Sequence, residues 1–167
     1  MDFKAALAGV HFSIAAGLLI AGLLIAFWAG LPIESIPSAS VMAVLIVIAV
    51  LVYRRFSRFV RSRVFIYGTP ITIAGEAVGV AAIAASSRLG VILVAAFYIG
   101  EPIVGYYVYK ELRSALDAAW TRVFYAGALL YALTLPAAVF GLFYVPLAFD
   151  LIKSIALFRL RAELLHK

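Results

Sequence analysis

Long stretches without a charged residue limit this chain to a fold that lipid surrounds. No Asp, Glu, Lys or Arg occurs in Ala5–Ala29 or in Val123–Phe149, and about 20 consecutive apolar residues let an α-helix cross a bilayer. Over the whole chain, 66% of the residues are hydrophobic and 13% are charged, whereas a soluble domain has about half and about a quarter. Such a composition cannot cover a water-exposed surface, so we predict an integral membrane protein.

The apolar segments predict an all-α fold, a polytopic bundle of six transmembrane helices in one domain, residues 1–167. The expected spans are Ala5–Ala29, Ser38–Tyr53, Val64–Ala85, Val91–Tyr109, Ala119–Leu135 and Ala137–Phe158. No polar loop separates the last two spans, and their boundary is placed near Pro136. The alternative has five spans, in which the segment after Asp150 lies along the membrane surface as an amphipathic helix.

The basic residues predict how the bundle is oriented. Cytoplasmic loops collect Lys and Arg, and the loop after the second span contains Arg54, Arg55, Arg58, Arg61 and Arg63. Lys110–Arg113 and the C-terminal segment are basic as well. An even number of spans places all of these on one side and Arg88 on the other. We therefore predict a multi-pass protein of the cell membrane with both termini in the cytoplasm.

The arginine loop, residues 54–63, is also a candidate for binding lipid headgroups. Phe56 and Phe59 lie among its arginines, and basic residues interleaved with aromatic residues suit an anionic membrane surface. The alternative is that the arginines only fix the topology. Membrane lipids are the expected partners, and nucleic acid is not, because a formal charge of +6 in a membrane protein more often reports orientation.

Two carboxylates lie inside predicted spans. Glu76 in the third span and Glu101 in the fourth are about equally far from the turn at Arg88. At about 1.5 Å of rise per residue both fall near the middle of the bilayer, so antiparallel helices would bring them level. An ionisable residue at that depth costs at least about 2.5 kcal/mol on insertion scales and indicates a functional site by default. We predict that this pair binds a cation or shares a proton.

The residues around this pair favour a polar interior. Thr72 shares the helix face of the first carboxylate, and Tyr98 precedes the second by one helical turn. Pro70 and Pro102 should kink their helices and free backbone carbonyl groups, as in the broken helices of many transporters. We therefore add Thr72 and Tyr98 to the substrate or ion site. The alternative is that each carboxyl is protonated and hydrogen-bonded to a Tyr or Thr, which would hold the helices together.

Three further side chains are secondary candidates for the site. Asp150 and Lys153 are three residues apart and can form an ion pair on one helix face. With the last span at Ala137–Phe158, the pair is expected toward the cytoplasmic end, where Lys can extend to water. His11 in the first span is expected to be a hydrogen-bonded packing residue, with ligation of a metal or haem as the alternative.

A row of small residues lies along one face of the first span, and its members are four residues apart: Ala5, Gly9, Ser13, Gly17 and Ala21. Small residues let helix backbones approach closely. We expect a packing seam inside the bundle. The alternative is a docking face for a second copy of the chain or for another membrane subunit.

The function that these features favour is a small transporter or channel with an intramembrane carboxylate pair. The chain has no cysteine and none of the sequence motifs of nucleotide binding, zinc hydrolysis or serine hydrolysis, so we expect no resident metal or cofactor. Two alternatives stay open. One is a non-catalytic subunit of a larger membrane complex, and the other is a membrane enzyme that uses the two carboxylates as acid and base on a lipid or isoprenoid.

Overall fold

The computed structural model describes residues 2–167, and every regular element in that range is a helix. The α-helices are α1 (Phe3–Trp28), α2 (Ile36–Phe56), α3 (Arg63–Ala84), α4 (Arg88–Tyr98), α5 (Gly100–Arg113), α6 (Ala118–Thr134) and α7 (Tyr144–Leu164). A short 3-10 helix, Leu135–Phe140, joins α6 to α7. The predicted all-α membrane bundle is confirmed.

Five segments are long and apolar enough to cross a membrane: α1, α2, α3, α4 together with α5, and α6 together with the 3-10 helix. Helix α7 has 21 residues but more charge. It packs along α6 and α1 and buries Leu157 and Leu160 completely. The α7 helix is therefore a sixth rod of the bundle rather than a helix on its surface.

The helices form a closed ring in chain order. Each rod packs against the rods before and after it in the sequence, and α7 packs against α1. Successive rods run in opposite directions, because the connections between them are short. A ring of this kind places one face of every rod toward a common axis.

The start of α1 and the end of α7 lie at the same end of the ring, where Ala5 and Ala6 share a core cluster with Leu160 and Leu164. The two carboxylate oxygens of Glu163 accept hydrogen bonds of 3.0 and 3.1 Å from the backbone N–H of Asp117, and Lys167 Nζ donates to the Ala115 carbonyl at 3.2 Å. At the opposite end, Arg88 pairs with Glu34 at 3.8 Å. All lysines and arginines other than Arg88 and Lys153 belong to the first end, which we call the basic end.

Two prolines modify the helices inside the bundle. Pro70 lies within α3 and has no N–H to donate to the carbonyl of Ile66, four residues earlier. The Tyr53 hydroxyl of α2 donates to that carbonyl at 3.0 Å instead. The predicted fourth span is divided into α4 and α5 at Ile99, and Pro102 follows in the first turn of α5.

Replacing Tyr53 with Phe removes the hydroxyl that satisfies the Ile66 carbonyl. A buried polar group without a partner costs about 1–3 kcal/mol, so we expect the free energy of unfolding to fall by that order. The measurement is circular dichroism during titration of the detergent-solubilised protein with SDS. Tyr67→Phe is the control, because Tyr67 is 67% exposed. Equal stability of the two variants would contradict the role of the Tyr53 hydroxyl.

Candidate functional site

A cavity of about 280 Å³ lies on the axis of the ring. All seven helices contribute to its lining. The side formed by α1 and α2 is mainly apolar, with Ile20, Leu23, Leu24, Phe27, Met42, Leu45, Ile46 and Ala49. Helix α2 buries only Ser38, Ala39 and Phe56 against other parts of the chain, because much of its inward face borders this space.

An apolar cluster lies on each side of the cavity along the ring axis. The cluster at the basic end includes Phe56 and Phe65, and the cluster at the other end includes Leu24 and Phe27. All four of these residues also border the cavity. The cavity is therefore an interruption between two packed cores.

Glu76 and Glu101 border this same cavity. Glu76 on α3 is 5% exposed, and its Oε1 has no hydrogen-bond partner. Glu101, in the first turn of α5, is half-buried. The structure thus brings together the two carboxylates that the sequence placed at equal depth.

Thr72 and Tyr98 also line the cavity. Thr72 is buried and lies against the start of α5, where a Cβ on Gly100 would be 2.6 Å from the Thr72 hydroxyl. The ring of Tyr98 packs edge-to-face on Tyr131, with 5.3 Å between the ring centroids. The absence of a side chain at Gly100 therefore lets α5 carry its carboxylate close to α3.

Asp150 and Lys153 form a buried ion pair, and Lys153 borders the cavity. Lys153 Nζ is 2.5 Å from Asp150 Oδ1, and the two residues are 9% and 0% exposed. The Lys153 ammonium also lies 4.8 Å from the centroid of the Tyr131 ring. Lys153 borders the space that Glu76 and Glu101 share, and Asp150 lies behind it within the bundle.

The expected position of that pair near the cytoplasmic end was wrong. Helix α7 begins at Tyr144 rather than at Ala137, because the 3-10 helix Leu135–Phe140 and the turn at Gly141, with φ of 79°, take up the intervening residues. Lys153 therefore falls near the middle of α7. The Lys153 ammonium group does not extend to the basic end of the bundle but is paired with Asp150 inside it.

Two glycines allow α7 to lie this close to its neighbours. A Cβ on Gly127 of α6 would be 2.9 Å from the backbone nitrogen of Lys153, and one on Gly17 of α1 would be 2.5 Å from the Ser154 hydroxyl. Gly17 belongs to the small-residue row, and Gly9 of the same row lies against the Phe56 ring. The row is a packing seam within the bundle, so it is not available as a docking face.

His11 lies outside the cavity. It is exposed, and its Nε2 accepts a hydrogen bond of 2.6 Å from Arg161 Nε. The interaction joins α1 to α7 at the basic end, which agrees with the expected packing role.

The phenyl rings of the arginine loop do not face lipid. Phe56 and Phe59 are 4% and 8% exposed and pack edge-to-face at 5.6 Å within the core cluster of the basic end. The expected basic and aromatic surface is therefore basic only, with Arg54, Arg58, Arg61 and Arg63 exposed. Arg55 is half-buried, and binding of lipid headgroups by these arginines stays a prediction.

Tyr131 is the site residue that sequence reasoning missed. It lies in the charge-free segment, where nothing in the residue pattern separates an inward tyrosine from a membrane-interface tyrosine. It is 4% exposed and joins Tyr98 to Lys153. The signal that points to it is its position one helical turn beyond Gly127, the residue on which α7 packs.

The site is a set of carboxylates with one ammonium group. Within residues 2–167, no three Asp, Glu, His or Cys side chains converge in a way that could hold a metal ion. Comparisons of the chain with protein-family models, with curated proteins and with solved structures found no match.

Proposed function

We propose that this protein is a small membrane transporter or channel in which Glu76 and Glu101 bind a proton or a cation in the central cavity. The observation that supports this most directly is the Glu76 carboxyl, which is 5% exposed, borders the cavity and has an oxygen without a hydrogen-bond partner. A group that serves only to hold helices together would have its hydrogen bonds satisfied.

The balance of charge around the cavity supports a positively charged ligand. Within residues 2–167, Glu76 and Glu101 are the carboxyl groups that border the cavity, and the one basic side chain there, Lys153, is already paired with Asp150. Uncompensated charge is expensive in a low-dielectric interior. A bound proton would keep each of these carboxyl groups neutral, and a bound cation would balance a carboxylate that has ionised.

The proposed mechanism is alternating exposure of the two carboxylates. The apolar clusters on the two sides of the cavity act as gates, and one opens while the other stays packed. The break at Ile99, between α4 and α5, is the proposed hinge, because it lies two residues before Glu101. A bound proton or cation neutralises the carboxylates and lowers the barrier to moving the site from one side to the other.

We place the basic end of the ring in the cytoplasm of a cell whose plasma membrane contains the protein. The asymmetry is strong, because among residues 2–167 Arg88 is the one basic side chain at the opposite end of the bundle. Cytoplasmic loops carry the excess of Lys and Arg in membrane proteins. Both termini are then cytoplasmic.

Replacing either carboxylate should remove the transport activity. We expect Glu76→Gln and Glu101→Gln each to reduce proton flux to that of protein-free liposomes, because an amide cannot carry the charge that exchanges. The measurement is the fluorescence of pyranine trapped in liposomes during a potassium diffusion potential set by valinomycin, repeated with a sodium gradient. Glu34→Gln is the matched control, since Glu34 pairs with Arg88 outside the cavity. Normal flux in both cavity variants would contradict the proposal.

A membrane enzyme that acts on a lipid-like substrate is the second candidate function. The observation that favours it is that a mostly apolar cavity reaches two carboxylates, which could serve as general acid and general base. The volume of about 280 Å³ lies at the lower limit of small-molecule sites, roughly 300–1,000 Å³. Such a space suits a small apolar substrate better than a whole lipid, so transport remains the leading proposal.

A further inference from the structure

We infer that the cavity binds a monovalent organic cation, with an ammonium group carried on a compact apolar body. This inference rests on the proposed function and names the class of its substrate. Its support is the unequal chemistry of the cavity wall, the contacts of the Lys153 ammonium group, and the Glu76 carboxyl oxygen that has no hydrogen-bond partner.

The cavity wall has an apolar side and a charged side. Helices α1 and α2 supply mainly aliphatic side chains, whereas the acidic groups that border the space come from α3 and α5. A hydrated inorganic ion would lose its water in such a space and gain few ligands in exchange, since no three metal-ligating side chains converge in residues 2–167. A ligand with an apolar body and one charged end would match both sides.

Lys153 shows how an alkylammonium ion fits this site. Its side chain is a butyl chain that ends in an ammonium group, and that group contacts the Asp150 carboxylate and the face of the Tyr131 ring. Carboxylates and aromatic faces are the two kinds of group that attract organic cations in proteins. The chain thus already stabilises one alkylammonium ion at the cavity wall.

The same kinds of group continue across the cavity to Glu76, which has no ion-pair partner among the described residues. Glu76 has an unpartnered oxygen and is 95% buried at the cavity, Glu101 is half-buried beside it, and the Tyr98 ring lines the same space. These groups repeat the carboxylate and aromatic combination that holds Lys153. A ligand ammonium group bound there would be satisfied as Lys153 is, while its apolar body contacts α1 and α2.

The test uses the full-length protein in phosphatidylcholine nanodiscs, with binding followed by isothermal titration calorimetry. The probe is phenethylammonium, and its matched neutral and anionic analogues are 2-phenylethanol and 3-phenylpropionate. Methylammonium tests the need for the apolar body, and empty nanodiscs correct for partition into lipid. We expect saturable binding of phenethylammonium and at least about tenfold weaker binding of each of the other three compounds, as one lost charged or apolar contact would produce.

The variants locate the binding site within the protein. Glu76→Gln and Glu101→Gln should each weaken phenethylammonium binding by at least about tenfold, whereas Glu34→Gln should leave it unchanged. Because the ligand series is measured on the unaltered protein, it stays informative if a cavity variant does not fold. Phenethylammonium binding no tighter than 2-phenylethanol would overturn the inference.

The outcomes for the inference and for the proposed function are distinguishable. Proton flux that depends on the two carboxylates, without preference for the organic cation, would leave the proposed function standing and overturn the inference. Charge-selective binding that depends on Glu76, with no flux of any cation, would support the inference and contradict transport.

Discussion

Replacing Lys153 with Met should lower the free energy of unfolding by about 3–5 kcal/mol, the usual cost of removing one partner of a buried ion pair. Met keeps the length and apolar character of the lysine chain, so the change isolates the charge. Asp150 is fully buried, and its Oδ1 is 2.5 Å from Lys153 Nζ. The variant would leave this carboxylate inside the bundle without a cation. The measurement is circular dichroism during an SDS titration in mixed micelles.

The control for this prediction is a double variant that removes the charge of Asp150 as well, so that the balance of charge is restored without the lysine. In Asp150→Asn with Lys153→Met, neither member of the pair is charged, so we expect most of the lost stability to return. Lys110→Met tests for a general effect of removing a lysine, because Lys110 is exposed at the basic end. A double variant as unstable as Lys153→Met would show that the ion pair is not the cause.

The helices could be predicted from the sequence where hydropathy and polar turns agree. The expected first span, Ala5–Ala29, corresponds to α1 at Phe3–Trp28, and Val64–Ala85 corresponds to α3 at Arg63–Ala84. In these segments the side chains are suited to lipid and not to water, so the length of the apolar stretch predicts the length of the helix. The observed ends extend to capping residues such as Asp2, whose carboxylate accepts from the Ala5 N–H.

The irregular segments could not be predicted in the same way. The break at Ile99 and the 3-10 helix Leu135–Phe140 both lie in apolar sequence, where hydropathy does not change. A proline near each of these segments indicated where the regular α-helix is interrupted. It did not indicate how many residues the interruption contains. Because the segment between α6 and α7 is longer than expected, Lys153 lies near the middle of its helix, at the cavity, and not near the end of the helix.

For a related reason, only part of the candidate site could be predicted from the sequence. Glu76 and Glu101 stood out, because acidic residues in apolar sequence need an explanation. Tyr131 did not, because an aromatic residue is compatible with lipid, with the membrane interface and with the interior. Its role depends on which face of α6 contacts α7, and that face is set by the space at Gly127.

Replacing Gly127 with Val should separate α7 from α6 and disable the cavity. A Cβ at this position would be 2.9 Å from the backbone nitrogen and 3.0 Å from the Cα of Lys153. Backbone atoms cannot rotate away as a side chain can, so the helix itself must move. Overpacking of a tight core costs about 1–3 kcal/mol, and we expect a loss of stability toward the upper end of that range.

The same displacement should change the function, because Lys153 and Asp150 move together with the backbone of α7. We expect Gly127→Val to lose proton flux in liposomes, although it leaves every charged side chain in place. Gly22→Val is the matched control, since a Cβ at Gly22 meets nothing within 4 Å. If Gly127→Val were as stable and as active as Gly22→Val, the close approach of α6 and α7 could not be what positions Lys153 at the cavity.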